Sequence, residues 1–384
     1  MRVVFLAHSF PRYAGDAAGS FLLRLAVALR DQGVEVRALA PGAPGVAQDD
    51  ELEGIPVRRF RYAPRAWERL AYTGTMAADV AASPTAKIAL GGFLASSLWS
   101  TLALTRRWRP ELLHAHWWFP GGVVARWASR LSGTPLVTTV HGTDVRLARS
   151  SRAARALLRP VLGRSRAVTA VSSWLASELH GIAPESTPHV SPMPVDTLAF
   201  TPEPVVPRQR LLYVGRLTRQ KGVRTLVQAL AIARPALELD VIGAGPEEAP
   251  LRALAEELGV GPRVRWHRPM PQPELAAWYR GAAAVVIPSV DEGLGLVAAE
   301  ALLCGAPVVA SRSGGLPDVV RDGETGLLVP PGDAQALAAA ITALLARPDR
   351  GAALACAGRE HVLRTFSPAA AAARYAALYH SVLS

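Results

Sequence analysis

Residues 211–231 read LLYVGRLTRQKGVRTLVQALA, and this stretch decides the fold. A continuous apolar run ends at Gly215, a polar turn follows, and an apolar helical pattern starts near Gly222. A continuous rather than an alternating run is typical of a parallel strand that is covered on both faces. The stretch therefore predicts a strand that leads through a short turn into a helix.

The same order of strand and helix recurs along both halves of the chain. The strand-like runs are RVVFLAH, VEVRALAP, ELLHAHWW, PLVTTVHG and AVTAVS in the first half, and RLLYVGR, LELDVIGAG, RVRWH, AAVVIPS, APVVAS and TGLLVP in the second. This alternation predicts an α/β protein with doubly wound parallel sheets. Ligands of such sheets bind beyond the carboxyl ends of the strands.

The length of 384 residues favours two domains, at about 150 residues for each. The segment 187–207 holds six prolines and no hydrophobic period, which indicates an extended linker. We predict one Rossmann-like domain over 1–195, a linker over 196–207 and a second Rossmann-like domain over 208–366. A final helix follows over 367–384. We expect the functional site in the cleft between the two domains.

The composition, with 50% hydrophobic and 19% charged residues, indicates a globular protein and excludes a disordered one. The only cysteines are Cys304 and Cys356, so a disulfide framework and a four-cysteine metal site are excluded. The N-terminus lacks the pattern of a signal peptide and predicts a buried strand. The apolar run 88–104 contains glycine, serine and threonine throughout. It favours a buried or half-buried helix over a membrane span of about 20 residues.

Positive charge is concentrated in the first half of the chain. The whole chain has a net charge of +11, and residues 1–195 carry 23 Lys and Arg against 13 Asp and Glu. The segments 57–69 and 145–166 hold five and seven arginines, and the first also holds three aromatic residues. Such segments fit an anionic membrane surface, and a solvated arginine-rich face is the alternative. No nucleic-acid-binding motif accompanies them, so we expect no nucleic-acid partner.

Arg216 and Lys221 lie at the two ends of the turn between the predicted strand that ends at Gly215 and the predicted helix that starts near Gly222. Two cations at such a turn form an anion site, which the helix N-terminus reinforces. Lys221 is one of only two lysines among 42 basic residues, and a compact ammonium suits a narrow diphosphate pocket. A solvated surface lysine is the alternative.

Residues 287–315 read IPSVDEGLGLVAAEALLCGAPVVASRSGG, with Glu292 in a glycine-rich loop and Glu300 about one turn into the following helix. Glycines at a helix start let a ligand approach the backbone amides. Ionised carboxylates accept hydrogen bonds from sugar hydroxyls. The pair alone is also compatible with two ordinary surface glutamates.

An ordered set of motifs now resembles the retaining glycosyltransferases of the GT-B fold, family 4. The set comprises FPRYAGDAAGSF, HGTD, GRLTRQKG, VIGAGP, PSVDEGLGLVAAEALLCGAPVVAS and GGLPDVVRDGETGLLVPPGD, and it covers nearly the whole chain. The resemblance implies two facing Rossmann-like domains and transfer of a sugar from a nucleotide donor with retention of configuration. It also implies that the N-terminal domain binds the acceptor, that the C-terminal domain binds the nucleotide, and that the last helix packs back on the N-terminal domain.

The resemblance assigns donor-site roles to individual residues. Arg216 and Lys221 match the pair that clamps the diphosphate. Glu292 matches the glutamate that binds hydroxyls of the transferred sugar, and Glu300 matches the one that holds the ribose. His141 matches the histidine near the transferred sugar, which completes the catalytic set with Arg216, Lys221 and Glu292. The remaining donor-binding positions are Gly15, Gly215, Gly293, Gly295, Leu296 and Val297.

On the acceptor side the expected residues are Asp16, His116 and Asp144. One departure concerns the N-terminal loop, which often has two adjacent glycines in the family but reads Gly15-Asp16 here. An acid so near a diphosphate must point away from it or serve the acceptor.

The expected chemistry is departure of a nucleoside diphosphate. Two cations and a helix N-terminus stabilise the developing charge, and loss of one such donor costs roughly 10²–10³ in rate. The family pattern offers no convincing carboxylate nucleophile. We therefore favour attack of the acceptor on the same face as the leaving group over a covalent intermediate.

The stretch VIGAGPEE, 241–248, starts like a dinucleotide fingerprint but has Glu248 at the third glycine position, which argues against a dehydrogenase. His114 and His116 lie on one strand face without converging carboxylates or cysteines, so packing is favoured over a metal site. We expect no metal and no cofactor beyond the nucleotide sugar. UDP is the favoured nucleotide and GDP-mannose the alternative.

The rival from another functional class is a catalytically silent protein that binds a nucleotide sugar or glycan. The expected location is the cytoplasm, with peripheral contact to the inner face of the plasma membrane as an extension. The expected acceptor is a hydroxyl group, for example on a lipid-linked molecule or a glycan.

Overall fold

The computed structural model describes residues 1–72, 76–203, 210–233 and 237–384. Part of the predicted linker, residues 204–209, lies outside the described residues. The chain divides into two compact units. The first unit comprises residues 1–194 together with the C-terminal residues 368–384, and the second comprises residues 195–367.

The first unit is built on an eight-stranded sheet with strand order β3-β4-β2-β1-β5-β6-β7-β8. Its strands are β1 Arg2–Leu6, β2 Glu35–Pro41, β3 Asp49–Leu52, β4 Ile55–Phe60, β5 Leu112–His116, β6 Leu136–Val140, β7 Ala167–Ala170 and β8 His189–Val190. All neighbouring pairs are parallel except β3 and β4. Strands β5 and β6 are buried along their whole length, as expected for central parallel strands.

The helices of the first unit lie in the connections between these strands. They are α1 Ser20–Arg30, α2 Met76–Ala82, α3 Pro84–Trp108, α4 Val123–Ser132, α5 Thr143–Ser150, α6 Arg152–Arg164 and α7 Ser173–Ile182. Helix α3 starts where the Ser83 hydroxyl accepts a hydrogen bond from the Ala86 N–H, with proline at the first helical position. It fills the long crossover from β4 to β5 and contacts α4.

The second unit is built on a six-stranded, fully parallel sheet with strand order β11-β10-β9-β12-β13-β14. Its strands are β9 Arg210–Val214, β10 Leu239–Ile242, β11 Val264–His267, β12 Ala282–Ile287, β13 Val308–Ser311 and β14 Leu327–Val329. Its helices are α8 Val223–Ile232, α9 Glu248–Glu257, α10 Gln272–Gly281, α11 Leu296–Leu303, α12 Leu316–Val319, α13 Ala334–Leu345 and α14 Pro348–Phe366. Because β9 and β12 are neighbours, the loops that follow them lie side by side at the carboxyl edge.

The last helix, α15 Pro368–Leu383, belongs to the first unit. It packs against α1, and its Tyr375 and Tyr379 are fully buried. The Tyr375 hydroxyl donates a hydrogen bond to the Ser191 carbonyl oxygen over 3.0 Å, and the Tyr379 hydroxyl lies 2.6 Å from Nδ1 of His114. The chain therefore leaves the first unit near residue 194 and completes it with its final helix.

The arginine-rich segment 57–69 is divided between the core and the surface. Strand β4 ends in this segment, and its Phe60 is buried together with Tyr62. Arg59 is also buried, and it donates to the Pro11 carbonyl oxygen over 2.6 Å. Of the three aromatic residues in this segment, Trp67 alone is exposed. Part of the segment therefore serves the core, whereas Arg58, Arg61, Arg65 and Arg69 are exposed, and the membrane contact stays a prediction.

Candidate active site

Lys221 forms an ion pair with Glu292 at the carboxyl edge of the second sheet. Its ammonium Nζ lies 2.6 Å from Oε2 of Glu292, and both side chains are about one-sixth exposed, at 17% and 16%. Lys221 ends a short 3-10 turn after β9, and Glu292 follows β12. The two residues are 71 positions apart, and the adjacency of the two strands brings them together.

The turn at Lys221 is pressed against the neighbouring loop. Gly222 has a φ of +66°, and a Cβ there would lie 2.0 Å from the Pro288 carbonyl oxygen. The Gln220 carbonyl oxygen accepts from the Val290 N–H over 2.8 Å, and the Gln220 side chain donates to the Asp291 carbonyl oxygen over 2.9 Å. These contacts fix the backbone on both sides of the ion pair.

The loop that contains Gly314 and Gly315 also contacts Glu292. The Glu292 carbonyl oxygen accepts a hydrogen bond from the Gly315 N–H over 2.8 Å. Gly314 has a φ of +61°, and a Cβ there would lie 2.2 Å from the same carbonyl oxygen. Glycine is therefore required at this position both for its conformation and for the close approach.

The start of α11 supplies backbone amides beside this ion pair. Gly295 precedes the helix with a φ of +94°, and a Cβ there would lie 2.6 Å from the Leu316 side chain. The Ala298 N–H donates to the Gly295 carbonyl oxygen over 2.9 Å and begins the helical ladder. The N–H groups of Leu296 and Val297 precede that ladder, so this helix end can hold an anion.

Arg216 lies on the loop after β9 with an exposed side chain. Its carbonyl oxygen accepts a hydrogen bond from the Tyr213 hydroxyl over 2.9 Å. Burial and the nearby Glu292 carboxylate raise the pKa of Tyr213, which therefore stays a neutral donor. The structure thus pairs Lys221 with a carboxylate and leaves the Arg216 side chain facing outward, whereas the sequence suggested that both cations converge on one ligand.

Glu300 lies on α11 and is 6% exposed. Its two carboxyl oxygens accept from the Tyr279 hydroxyl over 2.8 Å and from the Gln272 side-chain amide over 3.2 Å. Burial raises the pKa of Glu300 to about 7, although both hydrogen bonds act in the opposite direction. Sequence reasoning missed Tyr279 and Gln272, which come from α10 and carry no local signal of this contact.

The glycines of VIGAGP have a packing role. A Cβ at Gly243 would lie 1.9 Å from the Gly215 carbonyl oxygen, and one at Gly245 would lie 2.3 Å from that of Leu217. The Leu217 N–H donates to the Ala244 carbonyl oxygen over 2.9 Å. These glycines thus allow the loops after β9 and β10 to touch.

In the first unit, Asp16 is held inside its own loop. Its carboxylate accepts from the Arg12 guanidinium over 2.6 and 3.0 Å and from the backbone N–H groups of Arg12 and Ala18. Burial alone would raise the pKa of Asp16, but the Arg12 contacts lower it. The carboxylate therefore stays ionised, and the Arg12 guanidinium balances its charge. Gly15 beside it has a φ of +85° and open space around its Cβ position. Asp16 braces its own loop in this way, and its place on the acceptor side stays a prediction.

Asp144 in HGTD is likewise taken up by the backbone. Its carboxylate accepts four N–H groups, from Trp118, His141, Gly142 and Val145, over 2.9–3.1 Å. Burial raises the pKa of Asp144, against the effect of these hydrogen bonds. With 3% exposure it fixes the loop that carries His141. The carboxylate contacts the backbone of its own loop and of Trp118, and the predicted place of Asp144 at the acceptor stays a prediction.

His141 stacks on Trp117 at a ring distance of 4.2 Å, and its Nε2 lies 3.3 Å from Nδ1 of His116. Burial holds the pKa of His141 well below its usual value, and the neighbouring histidines add to this effect, so the imidazole is neutral. His116 has no exposed surface. It lies against His141 from a buried position, and its predicted place at the acceptor stays a prediction.

His114 also has a packing role, because its Nε2 lies 2.7 Å from the Thr139 hydroxyl. Among the described residues, no group of three or more His, Cys, Asp or Glu side chains is arranged to hold a metal ion. The absence of a metal requirement stays a prediction.

The comparisons with known proteins cover both units. The family model for glycosyl transferases group 1 matches residues 199–361, and the model for a glycosyl transferase 4-like domain matches residues 17–194. The chain is 34% identical to a D-inositol 3-phosphate glycosyltransferase of Thermobispora bispora, over 96% of this chain and 91% of that protein. A protein of the same name from Arthrobacter is 34% identical over 85% of this chain and 83% of its own length.

Solved structures give the same result for the fold. Sucrose-phosphate synthase from Thermosynechococcus elongatus superposes with a TM-score of 0.81 at 25% identity, over 99% of this chain and 98% of that one. Anabaena HepE in complex with UDP-glucose superposes with a TM-score of 0.74 at 21% identity, over 99% of this chain and 100% of that one. These relatives and the two parallel α/β units show a GT-B glycosyltransferase fold. The chain belongs to the group 1 glycosyltransferases of family 4 and is a glycosyltransferase.

Proposed function

We propose that this glycosyltransferase moves a hexosyl group from a UDP-sugar to a hydroxyl acceptor with retention of configuration. The observation that carries the proposal is the ion pair between Lys221 and Glu292 beside the amide-rich start of α11. A diphosphate competes with Glu292 for the Lys221 ammonium. Donor binding would therefore exchange one partner for another and free the Glu292 carboxylate to accept sugar hydroxyls.

In the proposed reaction, the bond between the anomeric carbon and the diphosphate oxygen breaks while the acceptor oxygen attacks from the same face. The acceptor proton passes to the departing phosphate oxygen, and the nucleoside diphosphate leaves. Lys221, the outward-facing Arg216 and the helix N-terminus stabilise the negative charge as it develops. Glu300 accepts hydrogen bonds from hydroxyls of the ribose, and these replace the hydrogen bonds that it accepts from Tyr279 and Gln272.

UDP is supported as the nucleotide by the likeness to structures that hold UDP or UDP-glucose. Thermal-shift measurements with UDP, GDP and ADP test this choice. A nucleotide at 100 times its dissociation constant should stabilise the protein by about 2.7 kcal/mol. Stabilisation by GDP in place of UDP would favour a GDP-mannose-dependent mannosyltransferase. Nucleotide binding without transfer or donor hydrolysis would favour the catalytically silent class.

The acceptor is proposed to present a sugar or polyol hydroxyl. The relatives named for inositol 3-phosphate support a polyol phosphate, and lipid-linked and glycan acceptors are the other candidates. UDP release in the presence of each acceptor class identifies the substrate, and the NMR coupling at the anomeric proton of the product tests retention. An inverted product would contradict same-face attack.

A cytoplasmic location with peripheral contact to the inner membrane face remains part of the proposal. The arginine-rich segment 145–166 supports it, since Arg152, Arg159 and Arg166 are exposed. Fractionation of cells into soluble and membrane pools tests it. Release of the protein from the membrane pool by salt is the expected behaviour of an electrostatic contact.

A further inference from the structure

Helix α3 carries large apolar side chains on its outer face as well as on the face that packs on the core. It is the one described helix that is long and apolar enough to cross a membrane, with a mean hydropathy of 1.5 over 18 residues, yet only 28% of that window is buried. Its buried stripe holds Phe93 and Trp108 of the core as well as Ser97, Thr101 and Thr105. On the opposite face, Ile88 and Trp99 are 64% and 72% exposed, which covering the core does not require.

The inward hydroxyls of α3 are satisfied within the helix itself. The Thr101 hydroxyl donates to the Ser97 carbonyl oxygen over 2.7 Å, and the Thr105 hydroxyl donates to the Thr101 carbonyl oxygen over 2.8 Å. The buried stripe is therefore stable as it stands. What calls for an explanation is the outward face, where large apolar side chains meet water.

The neighbouring helices continue this outward face. Helix α4 packs against α3, and α6 packs against α4, so the three form one layer over the first sheet. Trp127 and Leu131 of α4 are 44% and 64% exposed, and Leu157 of α6 is 53% exposed. We call the outer surface of α3, α4 and α6 the docking layer.

The docking layer carries positive charge without any acidic residue of its own. Residues 84–108, 123–132 and 152–164 contain no Asp or Glu. Their cations are Lys87, Arg106 and Arg107 on α3, Arg126 and Arg130 on α4, and Arg152, Arg155, Arg159 and Arg164 on α6. Arg159 approaches Glu185 at 3.7 Å, but both side chains are more than half exposed, so this pair offsets little of the charge.

We propose that the docking layer binds an anionic lipid surface. Tryptophan is favoured at the boundary between lipid and water, and each Lys or Arg near anionic lipid contributes about 1 kcal/mol. A second copy of the chain would bring two layers of like charge together, which costs free energy. Nucleic acid would satisfy the cations but would leave Ile88, Leu131 and Leu157 in water. This proposal rests on the membrane contact proposed above, and it places that contact on α3, α4 and α6 rather than on the segment 57–69.

The test uses flotation of the full chain with vesicles of phosphatidylcholine alone or mixed with phosphatidylglycerol. We expect binding to the mixed vesicles that falls with added salt, and little binding to phosphatidylcholine alone. The double variant Trp99→Ala/Trp127→Ala and the double variant Arg106→Gln/Arg107→Gln should each weaken binding by about tenfold or more. Substitution at these exposed sites should leave the melting temperature nearly unchanged.

Matched controls lie in the arginine-rich segment 57–69, outside the docking layer. Trp67 is 42% exposed, close to the value for Trp127, and Arg65 and Arg69 are exposed. Trp67→Ala and Arg65→Gln/Arg69→Gln should therefore bind vesicles like the wild type. Loss of binding in these controls, with binding retained in the docking-layer variants, would overturn the inference.

Two further outcomes also decide against it. One is absence of vesicle binding by the wild type, and the other is a dimer in sedimentation analysis that Trp99→Ala dissociates. UDP binding, measured on the same samples without lipid, separates this inference from the proposed function. Intact UDP binding without vesicle binding refutes the docking layer alone, whereas loss of both refutes both.

Discussion

Charged side chains at the carboxyl edges of the two sheets have different kinds of partner. In the second unit, Lys221 and Glu292 neutralise each other across two loops, and both remain accessible to water. In the first unit, Asp144 is buried, and four backbone N–H groups hold its carboxylate. A carboxylate paired with one mobile ammonium can change partners, whereas one held by four amides cannot without loss of the loop.

Side chains at the carboxyl edge of the second sheet can exchange hydrogen-bond partners, whereas those of the first sheet hold their loops in one conformation. In the second unit, the side chains are expected to rearrange around the diphosphate. In the first unit, the carboxylates of Asp16 and Asp144 hold loops so that other groups, such as the neutral His141, present a fixed surface. Substitutions at the two edges should therefore differ in their effects on catalysis and on stability.

The largest effect is expected at the ion pair. Lys221→Ala should lower the turnover rate by roughly 10²–10³, because one cation is lost from the leaving group. Donor hydrolysis or sugar transfer measures it. Arg219→Ala is the matched control, since this arginine lies on the same turn with a side chain that is 92% exposed. Equal losses in the two variants would mean that general positive charge, and not the position of Lys221, matters.

The next effect concerns the close contact beneath that turn. Gly222→Ala should lower the free energy of unfolding by about 2–4 kcal/mol, because the new Cβ would lie 2.0 Å from a carbonyl oxygen. Gly259→Ala is the control, since Gly259 has nearly the same φ, +67°, but nothing within 4 Å of its Cβ position. It should cost about 1 kcal/mol. Denaturant unfolding compares the two, and equal costs would show that the loops can separate.

A smaller effect is expected in the first unit. Asp144→Asn should lower the free energy of unfolding by about 1–3 kcal/mol. The substitution replaces one carboxylate oxygen by an amide nitrogen, which cannot accept a hydrogen bond from a backbone N–H. Chemical denaturation measures it. Glu292→Gln, at the exchangeable edge, should lower stability less than this, because the glutamine side-chain oxygen can still accept a hydrogen bond from the Lys221 ammonium. The reverse ranking would contradict the contrast between the two edges.

The smallest effect is a pH dependence of nucleotide binding. The pKa of Glu300 is raised to about 7, and a ribose hydroxyl needs the ionised carboxylate as its acceptor. UDP affinity should therefore rise by about tenfold between pH 6 and pH 8 through this group. Isothermal titration measures it, and in Glu300→Gln this part of the dependence should vanish. An unchanged pH profile in the variant would remove Glu300 from the ribose site.

The same carboxyl group also affects stability, in the opposite direction. The folded-state pKa lies above the ordinary value of 4.5, so folding favours the protonated form. The contribution of Glu300 to the free energy of unfolding is therefore fully present below pH 4.5 and declines as the pH rises through about 7.

Much of the second unit could be predicted from the sequence, and for a physical reason. Continuous apolar runs report buried parallel strands, and the loops after β9 and β12 meet because those strands are neighbours. The partners of Glu300 could not be predicted, since Tyr279 and Gln272 lie 21 and 28 positions earlier on another helix. Sequence patterns report local period and charge but not such long-range contacts.

In the first unit, the locations and partners of several charged and polar side chains were harder to predict, because the residue type alone does not indicate them. Arginines at 58 and 59 hide the alternating burial of β4, since Arg59 is buried although it is charged. Asp16, His116 and Asp144 resemble ligand-binding residues, yet their partners are backbone amides, Arg12 and His141. A polar side chain near a motif does not reveal whether it faces a ligand or the chain itself.

The placement of α15 in the first unit has a consequence for biosynthesis. The ribosome makes residues 1–194 first, but the buried contact of His114 with Tyr379 and that of Ser191 with Tyr375 require the final helix. The unit that emerges earliest is thus completed last, after residues 195–367 have been made. A nascent chain stalled before residue 368 should hold an unfinished N-terminal unit, open to proteases and chaperones, next to a C-terminal unit whose residues are all present.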